Sequence, residues 1–177
     1  MDQVSQTTTP VSSIHFAGGL AVLSGIISAI GVVLLIAMFV LFATPYKELG
    51  LRFGLMNDIC VALQYLLAIP IALAMHQILG VYQPGLMRVA TITGIASMLL
   101  VIGLQLLLIL KVLPFERQVV WVSLAMILGV GSWLVITGML ARSTGRMPNS
   151  VLMSALAVPY IGYPAWAFWL GRLLLAW

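Results

Sequence analysis

The residues of this sequence best able to do chemistry are a few polar side chains inside long apolar stretches. Asp58 and His76 lie eighteen residues apart, which is five turns of α-helix. They share one helix face but stand about 27 Å apart along the axis, so they cannot touch. Asn57 and Gln64, seven residues apart, share a neighbouring face. This segment therefore has a polar side.

Polar groups are costly in hydrocarbon and turn toward other helices. Counting depth at 1.5 Å per residue places the polar and tyrosine side chains of several segments in the same half of the membrane. The sequence predicts that they form one connected polar cluster. The candidate ligand-binding residues are Asn57, Asp58, Gln64, Tyr65, Gln105, Tyr160 and Tyr163. Three interpretations stay open: hydrogen bonds that only hold the bundle together, a cavity for a polar-headed lipophile such as a quinone or lipid, and a proton or ion path.

The two histidines, His15 and His76, stand at the start of the first apolar segment and the end of the second. Because successive helices run in opposite directions, both imidazoles belong to one layer of the membrane. Such a pair can hold a b-type haem, or a metal ion with a third ligand. Interfacial histidines without a ligand are the simpler interpretation, so no cofactor is predicted and haem b is the alternative.

Recognised catalytic motifs do not occur in the sequence. It has no HExxH, no GxSxG, no phosphate-binding loop and no carboxylate pair within one apolar segment. The single cysteine, Cys60, allows neither an intramolecular disulfide nor a thiolate cluster. These observations favour a protein without enzymatic activity.

The composition places these side chains in a membrane. Of 177 residues, 63% are hydrophobic and 7% charged, whereas soluble domains carry about 25% charged residues. Apolar blocks of about twenty residues have the length needed to cross about 30 Å of hydrocarbon. The predicted fold class is all-α, an integral membrane bundle of five transmembrane helices. Residues 1–13 are predicted as a polar tail, and 14–177 as one domain with spans at about 14–43, 55–79, 86–110, 118–141 and 150–172.

The first connection, TPYKELGLRFG, is predicted to be non-helical because Pro45, Gly50 and Gly54 break helices. Basic residues lie singly between the apolar blocks, which argues against nucleic-acid binding. With the amino terminus outside, the inner segments hold Lys47, Arg52, Lys111, Arg117 and Arg172, and the outer ones hold Arg88, Arg142 and Arg146. The majority inside predicts a cell-membrane protein with an outer amino terminus and a cytoplasmic carboxyl terminus.

Small residues recur at four-residue spacing, which lines one side of a helix and lets another backbone approach closely. They are Ala21, Gly25 and Ala29 in the first segment and Ala125 and Gly129 in the fourth. This pattern predicts helix packing, either inside the bundle or against another membrane protein or a second copy of the chain. The lipid bilayer is the remaining predicted partner.

The closing segment YIGYPAWAFWLGR combines aromatic residues with two glycines and ends in an arginine. Trp166 and Trp169, followed by Arg172, are typical of an interfacial anchor beside the lipid headgroups. Pro159 and Pro164 each remove a backbone donor and are expected to bend the helix. A bend near the tyrosines would open a crevice toward the second segment.

Half of the chain resembles families of small bacterial multi-pass membrane proteins of unknown role. The similar stretches are MNDICVALQYLLAIPIALAMH, ITGMLARSTGRMPNSVL and YIGYPAWAFWLGR. The resemblance implies a multi-span membrane protein of bacterial origin and supplies no catalytic residues.

The predicted function is a structural, accessory or assembly role in the membrane. The first alternative is binding or transport of a small lipophilic molecule in a crevice between the second and fifth spans. The second alternative is a haem-carrying electron-transfer subunit that uses His15 and His76.

Overall fold

The computed structural model describes residues 11–145 and 159–176, which are mostly helical, and short connections join the helices up to residue 145. The described residues contain no strand, so the predicted all-α class is confirmed. The helices are α1 (Val11–Phe42), α2 (Lys47–Leu79), α3 (Pro84–Ile109), α4 (Phe115–Ser143) and α5 (Pro159–Leu175). Four of them, α1 to α4, are long and apolar enough to cross a membrane, which fits the predicted membrane location.

The largest difference from the predicted boundaries is at the start of α2, which begins at Lys47 rather than near residue 55. Gly50 and Gly54, predicted to break the helix, lie inside it. Gly50 is buried, and a Cβ added there would lie 2.8 Å from the Phe42 ring. The glycines thus let α2 pack closely on the end of α1, and this packing outweighs their low helix propensity. The prediction of a long non-helical connection is wrong.

The two ends of the predicted topology are only partly covered. Residues 1–10 of the predicted tail, and the predicted start of the fifth span at Ser150, lie outside the described residues. Residues 11–13 form the first turn of α1 instead of belonging to the tail. Pro164 lies inside α5 as predicted, whereas a bend at Pro159 would involve preceding residues outside the described part.

Helix α1 packs between α2 and α5, α2 packs on α3, and α3 packs along α4, whose second half also contacts α2. The tightest approach is between α1 and α5. A Cβ added at Gly171 would lie 2.7 Å from the carbonyl oxygen of Gly18, and one added at Gly25 would lie 3.0 Å from that of Pro164. Small residues therefore let these two backbones touch.

The small-residue stripe of α1 is thus largely occupied inside the bundle. Ala21 is fully buried and Gly25 lies against α5, while Ala29 is exposed. Ala125 is buried in α4, and an added Cβ at Gly129 would overlap the Ser97 side chain of α3. Internal packing accounts for four of these five predicted packing residues.

Most of the described outer surface of α1 to α4 is apolar. Phe16, Ile30 and Phe39 on α1 are 65%, 49% and 61% exposed, and leucines and isoleucines face outward in the same way on α2, α3 and α4. In water such continuous surface would drive association. Against acyl chains it is the expected surface of a membrane bundle, whose polar groups face inward.

Candidate functional site

A buried hydrogen-bonded group joins α1, α2 and α5 near the middle of the bundle. The Ser24 hydroxyl donates to the Gln64 carbonyl oxygen at 3.3 Å and lies 2.9 Å from the Tyr163 hydroxyl. If the serine proton is used on the Gln64 main-chain oxygen, Tyr163 donates to Ser24 Oγ; otherwise Ser24 donates to Tyr163. The sequence analysis did not single out Ser24 as a hydrogen-bonding residue.

Aromatic rings continue from this group across the bundle to α4. The Tyr65 and Tyr163 centroids lie 6.3 Å apart, Tyr163 and Trp166 lie 5.6 Å apart, and Trp166 meets Trp133 edge to face at 5.8 Å. Such offset and edge arrangements are the favourable ones for aromatic pairs. We call these residues the aromatic row. It holds α5 against both α2 and α4.

Trp166 corrects one sequence prediction. It was expected at the lipid interface, but it is only 5% exposed and lies inside the aromatic row. Trp169 is partly buried and packs on the same core. Trp166 lies on the same face of the helix as Tyr163 and Leu170. This face turns toward α1 and α4, so Trp166 is buried in the bundle instead of lying at the membrane interface.

The two tyrosines line an open crevice of about 440 Å³ between α2, α4 and α5. Its other wall is formed by α4 side chains between Met126 and Ile136 and is almost wholly apolar. The structure therefore brings together the predicted Tyr65 and Tyr163 beside an apolar crevice, with α4 as an additional wall. The contribution of α4 was not predicted.

This wall of α4 has an unusual backbone, because Ala125–Gly131 is π-helical. The Ser132 hydroxyl follows directly and donates to the carbonyl oxygens of Leu128 and Gly129 at 2.6 and 2.9 Å. Such back-bonding by serine, next to glycines, bends or widens helices, and π-helical turns are frequent at functional sites. In the sequence, Gly129 and Gly131 followed by Ser132 could have indicated this irregular helix.

Among the described residues, the predicted polar cluster is divided into separate groups. Gln105 instead accepts a 2.9 Å hydrogen bond from the side-chain amide of Gln118, and both residues are buried between α3 and α4. The pairing follows from the short connection between these antiparallel helices, which sets residues 105 and 118 at equal depth. Among the described residues, no hydrogen bond links this pair to the Ser24 group.

The Gln105–Gln118 pair should be coupled energetically. We expect Gln105→Leu and Gln118→Leu each to destabilise the fold by about 1 kcal/mol, because each strands a buried amide. The double variant should lose less than the sum, with a coupling energy of about 0.6 kcal/mol. Reversible unfolding in detergent–lipid micelles measures the cycle, and Gln77→Leu on the exposed face of α2 is the matched control. Strictly additive effects would contradict the pairing.

The remaining candidate residues of α2 line two other spaces. Asn57 and Gln64 border a cavity of about 20 Å³ beside Ser28, close to the size of one water molecule. Asn57 and Asp58 also line a crevice of about 660 Å³ at the end of the bundle where α1 ends and α2 begins. Its rim carries charges of both signs, from Glu48, Arg52, Asp58 and Lys111. Asp58 is therefore not part of the tyrosine crevice.

The two histidines lie at the same end of the antiparallel helices α1 and α2, but the structure gives them different surroundings. His15 is exposed, whereas His76 is partly buried and its Nδ1 lies 3.2 Å from Thr91 Oγ1 on α3. Nowhere in the described ranges do three His, Cys, Asp or Glu side chains gather as a metal site would need. Tyr160 is in the first turn of α5, and its side chain lies outside the described part.

Comparisons with known proteins find no relative of this chain. No protein-family model, no curated protein and no solved structure matches the chain. The function must therefore be argued from the crevice and its residues.

Proposed function

We propose that the chain is a non-enzymatic membrane protein whose four helices α1 to α4 cross the bilayer, and that it binds a small lipophilic molecule with a polar head in the tyrosine crevice. The observation that carries the proposal is the pairing of Tyr65 and Tyr163 at the edge of an apolar crevice of about 440 Å³. This volume lies in the usual range for small-molecule sites, which combine apolar walls with a few polar groups.

The hydrogen bonds of Tyr163 restrict the chemistry of the head group. When Tyr163 donates its proton to Ser24, its oxygen is left as an acceptor for the head group. A hydroxyl-bearing head, such as that of a quinol or a monoacylglycerol, supplies the required donor. The side chains of Tyr65 and Tyr163 line the crevice, and the α4 wall offers apolar contact for a tail.

The direction of α5 argues against a fifth antiparallel span. The described part of α5 has 17 residues, about 25 Å of helix, which is somewhat less than the hydrocarbon thickness of about 30 Å. Gly25 lies against Pro164, and Gly18 lies against Gly171. Helix α5 therefore runs antiparallel to α1 and ends where α1 begins. The predicted outer amino terminus and cytoplasmic carboxyl terminus do not fit this direction of α5, which argues for both ends of the chain on one side of the membrane.

The accessory or assembly role is less well supported by the packing. That role used the small residues of α1 as a docking face for another protein or a second copy, but Gly25 lies against α5 of the same chain. The haem alternative requires both imidazoles to face one space, and His15 is exposed. The lipophile hypothesis has a formed crevice in its favour.

The proposal is tested by ligand retention. Purified protein in detergent is titrated with decylubiquinol and, separately, with a monoacylglycerol, and bound ligand is counted by native mass spectrometry. Val135→Trp should fill the crevice and lower retention at least tenfold, because Val135 lines it. Tyr163→Phe should weaken binding about fivefold through loss of one hydrogen bond.

Leu124→Trp is the matched control, since Leu124 lies on the same helix, is exposed and does not line the crevice. It should bind as the unmodified chain does. The proposal fails if neither probe is retained, or if Val135→Trp and Leu124→Trp behave alike in folded protein.

A further inference from the structure

A second groove, separate from the tyrosine crevice, runs along the outer surface between α2 and α3. It has a volume of about 440 Å³, and its walls are mostly apolar, with Ile92, Ile95 and Leu99 along α3. From Arg88 at one end to Leu99 at the other, the groove follows eleven residues of helix, about 16 Å. This is close to half of the roughly 30 Å hydrocarbon core, the depth of one lipid leaflet.

The shallow end of the groove carries positive charge. Arg88 is exposed there, and His76 and Thr91 line the groove beside it. The 3.2 Å bond between His76 Nδ1 and Thr91 Oγ1 turns the other ring nitrogen, Nε2, away from Thr91. When Thr91 donates in that bond, Nε2 carries the proton and is a donor itself.

No carboxylate offsets this charge within the described part of the chain. The four acidic residues of the sequence are Asp2, Glu48, Asp58 and Glu116. Asp2 lies outside the described residues, and the other three stand near the start of α2 or of α4, at the opposite end of the bundle.

We propose that this groove binds one anionic phospholipid. The phosphate is held by Arg88 and His76, and one acyl chain lies along Ile92, Ile95 and Leu99. Charge complementarity selects an anionic head group, and the one-leaflet length of the apolar part selects a lipid over a free anion. The site shares no lining residue with the tyrosine crevice, so it does not depend on the proposed function.

The inference is tested with phosphatidylglycerol and phosphatidylcholine of identical acyl chains. Each lipid is titrated into delipidated full-length protein in detergent, and native mass spectrometry gives the dissociation constant of the first bound lipid. We expect phosphatidylglycerol to bind more tightly. Arg88→Gln should weaken its binding about fivefold, which corresponds to about 1 kcal/mol per basic residue near the membrane surface. Binding of phosphatidylcholine should change less.

Two controls separate this site from general surface attraction. Arg142→Gln removes an exposed basic residue at the same end of the bundle, outside the groove, and should leave the preference intact. Ala96→Trp should obstruct the groove and weaken both lipids, whereas Val89→Trp, also exposed on α3 but not lining the groove, should not. Circular dichroism and size-exclusion chromatography confirm that each variant is folded.

Three outcomes would overturn the inference. The first is equal affinity of the unmodified chain for the two lipids. The second is an equal loss in Arg88→Gln and Arg142→Gln, which would indicate attraction by net charge alone. The third is displacement of phosphatidylglycerol by millimolar inorganic phosphate, which would identify a site for a free anion.

Discussion

Gly171→Ala is expected to destabilise the fold by about 2 kcal/mol, although it adds a single methyl group. The new Cβ would lie 2.6 Å from Val22 Cγ2 and 2.7 Å from both the Gly18 carbonyl oxygen and the Val22 nitrogen. Two of these atoms are backbone, so no rotamer change relieves the contact and α1 and α5 must separate. Overpacking of a dense interface typically costs about 1–3 kcal/mol.

Gly19→Ala is the matched control for this prediction. Gly19 neighbours Gly18 on α1, but it is exposed and an added Cβ would meet nothing within 4 Å. Alanine is the better helix former by about 0.5–1 kcal/mol, so this variant should be as stable as the unmodified chain or slightly more stable. Thermal unfolding in detergent, followed by circular dichroism, measures both. Equal midpoints for the two variants would contradict the close contact of α1 and α5.

The contact between Gly18 and Gly171 shows what could and could not be predicted from the sequence. Glycine spacing predicted that α1 has a packing face, because small residues one turn apart always fall on one side of a helix. It could not predict which helix would cover the face. The partner, α5, is the most distant in sequence, and only the assembled bundle places Gly171 on Gly18. Docking to another protein was therefore an open alternative in the sequence.

Helix positions were predictable to within a few residues where an apolar block decided them. They were wrong where polar residues continued the helix, as at Lys47 to Gly54, because hydropathy ends at the membrane surface and helical hydrogen bonding does not. In the structure, the close packing of Gly50 against Phe42 supports the helix in this segment.

For the candidate site, depth was the predictable coordinate and rotation about the helix axis was not. Gln64, Tyr65 and Tyr163 were expected at similar depth, and the structure brings the two tyrosine rings together and joins Tyr163 to the Gln64 backbone through Ser24. Gln105 turns instead toward Gln118. A count of residues along a helix cannot reveal such a choice between neighbours.

Trp133→Ala is expected to have the largest effect of any single truncation in the aromatic row, a loss of about 3–5 kcal/mol. Trp133 is fully buried, and it fills the space left by Gly94 on α3, where an added Cβ would lie 2.8 Å from the indole side chain. It also meets the Trp166 ring of α5 at 5.8 Å. Its removal therefore opens a cavity where α3, α4 and α5 meet.

Packing, rather than hydrogen bonding, should account for this loss. Trp133 Nε1 has no hydrogen-bond partner among the described residues, so Trp133→Phe should keep much of the stability that Trp133→Ala loses. Trp121→Ala is the matched control, because Trp121 lies on the same helix and is 56% exposed. Chemical unfolding in mixed micelles measures all three variants. A loss in Trp121→Ala as large as that in Trp133→Ala would show that tryptophan burial in the aromatic row does not hold α4 in the bundle.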